Sequence, residues 1–449
     1  GFTLPRWPEM RWKIRESEMS NSHNGWSRRG FLGLAGATAA GLASGASFGL
    51  PARADEAAIK FWDMPWGGTT YNNAMKDLVE GYAGPGGRTA TYQTIQWANF
   101  QQVFASALAS NTGPAASTGG AFQAFQFAKQ GQVLYADGII DKLRESGKIN
   151  DFLPGTLEAL KTKEGYVGIP WNLDVRPIWV RTSLLEKAGV EAPKDWASWL
   201  TAGKTLKKNG VYAFATGAGP NNNFGYHGLV SLMINNAGGL FNENQEPDAL
   251  YDRNVEAMEF VREMASEGLI DPASVSYSTD NLDTMWRTGK VAIGYHTPGL
   301  DKVLGETDGD LVVMSPPEGP HGDKGTAYYV NNIMMYANNP STPDTEEFLV
   351  WYVNNLAHAW TVGKAPTLPA LKSITETEEF RSRKQAVKVI EEWQPVCKPM
   401  AARSTASFAA LASIDAGQAV TRFTQTMLAG RTDAKKALER LQSDLEDLM

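Results

Sequence analysis

Cysteine is almost absent from this chain. Its 449 residues contain one, Cys397, so no intramolecular disulfide can form and the fold must rest on its apolar core. We expect that thiol to be a buried, inert group and not a redox centre. Histidine is scarce too: there are five, none in H-E-x-x-H or another zinc spacing, so neither a metal nor another cofactor is expected. There is no Walker A loop. Basic charge is in deficit, with 42 Lys and Arg against 49 Asp and Glu and a net charge of −7. That balance repels phosphate backbones and argues against nucleic acid as a partner. Beyond residue 55 no uninterrupted apolar run is long enough to span a bilayer.

The N-terminus carries an address. Ser27-Arg28-Arg29-Gly30-Phe31-Leu32 places paired arginines before a soft Gly-, Ala- and Leu-rich stretch that ends at Leu50. Ala52-Arg53-Ala54 then supplies the small residues of a cleavage site, with Asp55 next. This reads as a twin-arginine signal, cleaved after Ala54, directing the chain to the periplasm. A membrane anchor is the alternative, but glycine and alanine add little transfer energy to such a stretch. Residues ahead of Met19 are read as an upstream extension. A G-x-S-x-G match at Gly45-Ala46-Ser47-Phe48-Gly49 falls inside this leader and is a chance occurrence. Cleavage would remove seven Lys/Arg and three Asp/Glu, leaving 35 basic and 46 acidic residues in a mature chain of 395. That length suits two domains.

Aromatics are the conspicuous excess. Eleven of the fourteen tryptophans follow the leader, several beside Gly, Pro, Asn or Asp, as in Trp62-Asp63-Met64-Pro65-Trp66-Gly67-Gly68. Rings placed in loops suit a surface that stacks against flat apolar faces. Ala57–Trp62 and Thr89–Ile95 read as strands, and Tyr71–Tyr82 and Phe100–Ser110 as helices. Further on, Gly165–Trp171, Pro177–Val180 and Tyr212–Ala215 are extended, whereas Ser183–Ala188 and Trp196–Asn209 are helical. This alternation predicts α/β layers with largely parallel sheets. Val255, Met258, Val261 and Met264 recur at helical spacing and mark a core face. Thr342-Pro343-Asp344-Thr345-Glu346-Glu347 starts a capped helix, and Ala434–Met449 is a charged amphipathic one. No linker separates two domains, so the chain is expected to cross between them more than once.

Several segments, taken in order, resemble the extracellular solute-binding proteins of the maltose-binding type. Gly168-Ile169-Pro170-Trp171 with Asp174-Val175-Arg176 resembles the family's G-I-P crossing. Leu184-Leu185-Glu186-Lys187-Ala188-Gly189-Val190, followed by Pro193-Lys194-Asp195-Trp196, resembles its L-x-x-A-G and P-x-T-W stretch. Met285-Trp286-Arg287-Thr288-Gly289-Lys290-Val291-Ala292-Ile293, Ser315-Pro316-Pro317-Glu318-Gly319-Pro320 and Phe348-Leu349-Val350-Trp351-Tyr352 follow in family order. The resemblance implies a two-lobed α/β fold of type II with the ligand in the interlobe cleft. It places lobe 1 at 55–167 with a return segment near 308–340, and lobe 2 at 168–307 with a C-terminal segment near 341–449. It implies a monomeric receptor that closes about a carbohydrate and delivers it to ABC permease subunits in the inner membrane.

The same resemblance suggests ligand contacts. Trp62 and Trp66 follow the first strand, and Gln96 and Trp97 the second, where open α/β sheets bind ligands. Gln123, beside Phe122, falls in a third loop. Trp171, Asn172, Asp174 and Arg176 form the densest cluster, with Trp171 stacking, Asp174 holding hydroxyls and Arg176 either gripping an anion or pairing with Asp174. Asn222 and Tyr226 lie in a polar and aromatic loop that also holds His227. Trp286 and Tyr295 follow, then Tyr328, Tyr329 and Asn331 on the return, and finally Arg403. Two other classes stay open: a periplasmic carbohydrate-active enzyme, whose paired carboxylates no linear motif reveals, and a receptor for a polyamine. Against the first stands the ordered family pattern. The amide-rich, aromatic loops disfavour the second.

Overall fold

The computed structural model describes residues 58–306, 308–415 and 417–449. The leader and its cleavage site lie outside the described residues. Strands in chain order are β1 (Ile59–Asp63), β2 (Ala90–Thr94), β3 (Ala116–Gly119), β4 (Val133–Leu134), β5 (Ile169–Val175), β6 (Ile178–Arg181), β7 (Ile293–Tyr295), β8 (Leu311–Val313), β9 (Thr326–Tyr336), β10 (Leu368–Pro369) and β11 (Cys397–Pro399). They form two sheets. The larger runs β10-β5-β9-β3-β1-β2, with β4 and β11 also on β9; the smaller runs β7-β6-β8.

Local chemistry explains where the elements start and stop. Phe61 in β1 is buried and meets Tyr352 at 4.8 Å and Phe348 at 5.6 Å, which fixes the helix Thr342–Asn354 to this sheet. Ser341 caps that helix and Pro343 occupies its first turn. Gly189, at φ 68°, closes the helix Thr182–Ala188 in the left-handed region that glycine adopts without strain. Asp195 and Ser198 form a reciprocal cap on Trp196–Lys208. The expected core face of Asp252–Ser266 is buried at Met258, Val261 and Met264. No helix among the described residues is long and apolar enough to cross a membrane.

The sheets are less parallel than the alternation suggested. Among the pairs of named strands only β1 with β2, β1 with β3 and β9 with β11 run parallel; single parallel bridges join Tyr212 to Val291 and Ala215 to Gly294. The reason is the path of the chain. β5 leaves the large sheet at Val175 and continues directly into β6 of the small one; β9 comes back beside β5 in the opposite direction. Segments 308–340 and 341–449 accordingly divide between the sheets. Leu311–Val313 pairs with β6, whereas Thr326–Tyr336 pairs with β5 and β3. Lys142, on a helix of the large-sheet side, reaches Glu346 and Glu347 of the helix Thr342–Asn354, an arrangement that keeps this helix with the large sheet.

The tryptophans also sort differently from their loop-like neighbours. Trp171, Trp179, Trp199, Trp286 and Trp393 are almost fully buried, and Trp62, Trp196 and Trp360 nearly so. They are core residues. Of the eleven, only Trp97 is exposed, with Trp66 and Trp351 partly so. Cys397 is partly buried at the start of β11, and burial pushes its thiol up, which keeps it protonated and inert at neutral pH.

Candidate functional site

A cavity of about 530 Å³ opens at the carboxyl ends of β1, β2 and β3 and against the paired strands β5 and β9. Its size is that of a small-molecule site. Trp66 comes from the loop after β1, Trp97 from the turn after β2, and Gln123 from the helix start after β3. Two roomier hollows, of about 740 and 820 Å³, lie at the C-terminal helices and beside residues 158–167, and neither joins aromatic faces to buried ionic groups.

Strand geometry decides which members of the central cluster reach this cavity. Successive side chains on a strand point to opposite faces. Asp174 stands opposite Tyr329 and Asn172 opposite Asn331, so these two pairs share one face. Trp171 points the other way, stacking on Tyr71 at 6.2 Å and meeting Trp360 at 5.8 Å. It is a core residue, not the stacking platform expected of it. Asn172 lies beneath Asn331 and accepts its amide at 2.6 Å. The same alternation takes Tyr328 away to donate to the Gly155 carbonyl at 3.2 Å.

Seven expected contacts line the cavity: Trp66, Trp97, Gln123, Asp174, Arg176, Tyr329 and Asn331. The others are placed elsewhere. Trp62 packs edge-on against Phe104 at 5.2 Å, and Gln96 sits exposed outside the cavity. Asn222 organises its own loop, donating to the Tyr277 carbonyl and accepting from the Phe224 amide. Tyr226, Trp286 and Tyr295 are buried in packed interior. Arg403 pairs with Asp248 at 2.6 Å and lies 3.9 Å above the Tyr251 ring, away from the cavity. His227, from the same polar and aromatic loop as Asn222 and Tyr226, lines it, as do Phe100, Gln126 and Asp415, which carry no signal in the sequence.

A directed chain of hydrogen bonds crosses one wall. Arg176 can only donate. Both its terminal nitrogens serve Asp174, one at 2.9 Å, and its Nε donates to His227 Nδ1 at 3.0 Å. The proton of a neutral His227 must then sit on Nε2, which donates to the Tyr329 hydroxyl at 2.7 Å. Tyr329 in turn donates to Asp415 Oδ1 at 2.8 Å. Burial, and after it the nearby Arg176 charge, hold His227 well below its ordinary pKa, so it stays neutral. Burial opposes the Arg176 charge as well, but Asp174 more than restores it. Asp415 is pushed up to about 6, chiefly by burial, with the Tyr329 hydroxyl and Arg176 pulling the other way.

Among the described residues lining the cavity Arg176 is the one cation, and Asp174, His227 and the Val175 carbonyl take four of its five N–H groups, including its paired terminal nitrogens. Two carboxylates therefore face a single committed positive charge. The aromatic side is equally ordered. Trp66 meets Trp97 edge to face at 4.9 Å and donates its indole N–H to Thr118 at 3.0 Å. Gln123 is buried, and neither of its amide atoms has a partner. No group of His, Cys, Asp and Glu among the described residues could hold a metal ion.

Comparison with known proteins adds to this geometry. A family model described as bacterial extracellular solute-binding protein matches residues 67–357. A sugar transporter from Arthrobacter chlorophenolicus A6, solved with bound laminaribiose, is 52% identical, with a TM-score of 0.76 over 88% of this chain and all of that one. The sugar-binding protein MalE of Xanthomonas citri shares the fold at 15% identity, TM-score 0.73, over 87% of this chain and 97% of its own. A Brucella abortus (strain 2308) protein described as a binding protein is 24% identical over 323 residues, covering 69% of this chain and 75% of that one. The architecture is thus the two-lobed α/β fold of the maltose-binding type.

Proposed function

Since the chain belongs to the bacterial extracellular solute-binding proteins, we propose that it is the sugar-capturing receptor of an ABC importer and that its cavity holds an uncharged disaccharide. One observation carries this reading: the cavity joins the faces of Trp66 and Trp97 to the carboxylates of Asp174 and Asp415 and offers no unspent cation. A pyranose has an apolar face for the rings and hydroxyls for the carboxylates. Asp415 Oδ1 accepts from Tyr329, which leaves Oδ2 for a ligand hydroxyl. The Gln123 amide supplies one further donor and one acceptor. An anionic sugar would bring its charge against two carboxylates, and Arg176 has no fork left to grip it.

Capture proceeds by closure. Lobe 1 carries the large sheet and lobe 2 the small one, with the crossing after Val175 and the return at Thr326. A ligand bridging Trp66 and Trp97 to Asp415 gains its full contacts only when the lobes approach, and it shifts the open–closed equilibrium by that difference. The receptor leaves its sugar unaltered and hands it to the permease. Export through the twin-arginine route to the periplasm, with cleavage after Ala54, completes the proposal; its support is the Arg28-Arg29 pair and the Ala52-Arg53-Ala54 site.

Calorimetric titration of the chain from Asp55 onward with laminaribiose is the direct test. We expect one site and an unchanged disaccharide on recovery. No heat with laminaribiose, maltose or cellobiose, or glucose appearing in excess over protein, overturns the receptor reading.

A further inference from the structure

Behind the cavity lies a carboxylate that touches no ligand space. Asp63 ends β1 fully buried and gathers four donors: the hydroxyls of Thr118, Tyr71 at 3.0 Å and Tyr92 at 2.9 Å, and the Met64 amide at 2.9 Å. Thr118 reaches it because β3 lies beside β1, with Trp62 opposite Ser117. Burial pushes Asp63 up to about 6, while those same donors favour its ionised form, so near neutral pH it accepts and does not donate. The Thr118 hydroxyl has a single proton, committed to Asp63 Oδ1. What remains on Thr118 Oγ1 is acceptor capacity, which the indole N–H of Trp66 takes at 3.0 Å and the Met64 amide at 3.3 Å.

We propose that Asp63 is a positioning residue for sugar capture, acting through Thr118 to hold the Trp66 indole as the stacking face of the cavity. This rests on the function proposed above. Trp66 is only partly buried, and its ring contacts with Trp97 and Trp171 are edge-on at 4.9 and 5.2 Å. Such contacts define a neighbourhood but tolerate rocking of the ring. The N–H···Oγ1 bond supplies direction. Were Asp63 unable to accept, the Thr118 hydroxyl would be free to turn its proton toward the indole, and the bond would be lost. The relay therefore works in one sense only: carboxylate, hydroxyl, indole, sugar.

A double-mutant cycle with laminaribiose as the probe tests this. Thr118→Val removes the acceptor and should weaken binding about tenfold, the worth of one lost orienting hydrogen bond. Trp66→Phe keeps a ring but has no N–H, so adding Thr118→Val to it should change affinity by less than about twofold. Thr118→Ser restores the hydroxyl and should restore binding. A second readout needs no ligand: the indole N–H resonance assigned to Trp66, by its loss in Trp66→Phe, should move upfield in both Thr118→Val and Asp63→Leu, the latter of similar size but with no acceptor for the Thr118 hydroxyl. The proposal is overturned if Thr118→Val costs the same factor in both backgrounds, or if that resonance stays in place. Should Trp66→Ala itself bind laminaribiose like the parent, the cavity assignment falls and takes the relay with it. A failed cycle alongside a weak Trp66→Ala rejects the relay alone.

Discussion

Removing Trp97 separates binding from folding more cleanly than any other change in the cavity. Its side chain is 40% exposed, so Trp97→Ala leaves the packed interior intact. The fold loses edge-to-face contacts with Trp66 at 4.9 Å and Phe100 at 5.4 Å, together worth about 1–2 kcal/mol. In a chain of this size that lowers Tm by only about 2–4 °C. The ligand loses more. A tryptophan presents about 250 Å² at most, so some 100 Å² of its surface awaits cover. At about 25 cal/mol/Å² full cover would contribute about 2.5 kcal/mol, and ring stacking about 0.5–1.5 kcal/mol beyond that. A sugar covers one side of the ring, which brings the expected loss to about 2–3 kcal/mol, or roughly 30- to 150-fold in Kd. Calorimetric titration with laminaribiose measures it, and thermal melting by circular dichroism provides the control. Binding within twofold of the parent, by a variant that melts cooperatively, would refute the assignment of Trp97 as a stacking face.

Other consequences follow from the same geometry. Asp415 and Asp63 are both pushed up to about 6, so the carboxylate proposed to accept from the ligand and the one behind Trp66 are lost together as the pH falls through that value; laminaribiose affinity should drop at least about tenfold from pH 7 to pH 5, and Asp415→Asn should remove its own share of that slope and leave the share that Asp63 carries. Arg176→Ala leaves Asp174 and His227 without their donor in a buried wall and should cost about 3–5 kcal/mol of stability, read in urea titrations. Arg403→Ala, by contrast, breaks the pairings with Asp248 and Glu243 and the contact with Tyr251, all away from the cavity, and laminaribiose should bind within twofold of the parent.

Much of the architecture is legible in the chain because it is local. The caps at Ser341 and Asp195, the closing Gly189 and the apolar periodicity of Asp252–Ser266 all act within a few residues. Sheet membership is not local. Nothing within Leu311–Val313 distinguishes pairing with β6 from joining β9 in the large sheet. The site divides in the same way. Asp174 and Arg176 can be read together because they lie two apart where β5 ends, and the alternation of that strand turns Trp171 to the opposite face. Asp415 ends a short helix, carries no motif, and lies at the cavity wall beside Tyr329, far away in sequence, which donates to it. Burial, which sorted core tryptophans from the two cavity faces, depends on neighbours no linear window contains.

The ladder between β5 and β9 continues to the point where the two strands part. Val175 pairs with Tyr328, the Arg176 amide donates to the Ala327 carbonyl at 3.1 Å, and the Thr326 hydroxyl bonds the Arg176 carbonyl. Bonded strands resist sliding past one another but yield to torsion. This joint therefore behaves as a leaf spring, turning any relative motion of the sheets into twist confined to a few residues. Asp174 and Tyr329 sit one residue inside its clamped end. A sugar held there loads the spring at its root, where a small rotation produces the largest change in the angle between side chains on either side of the joint.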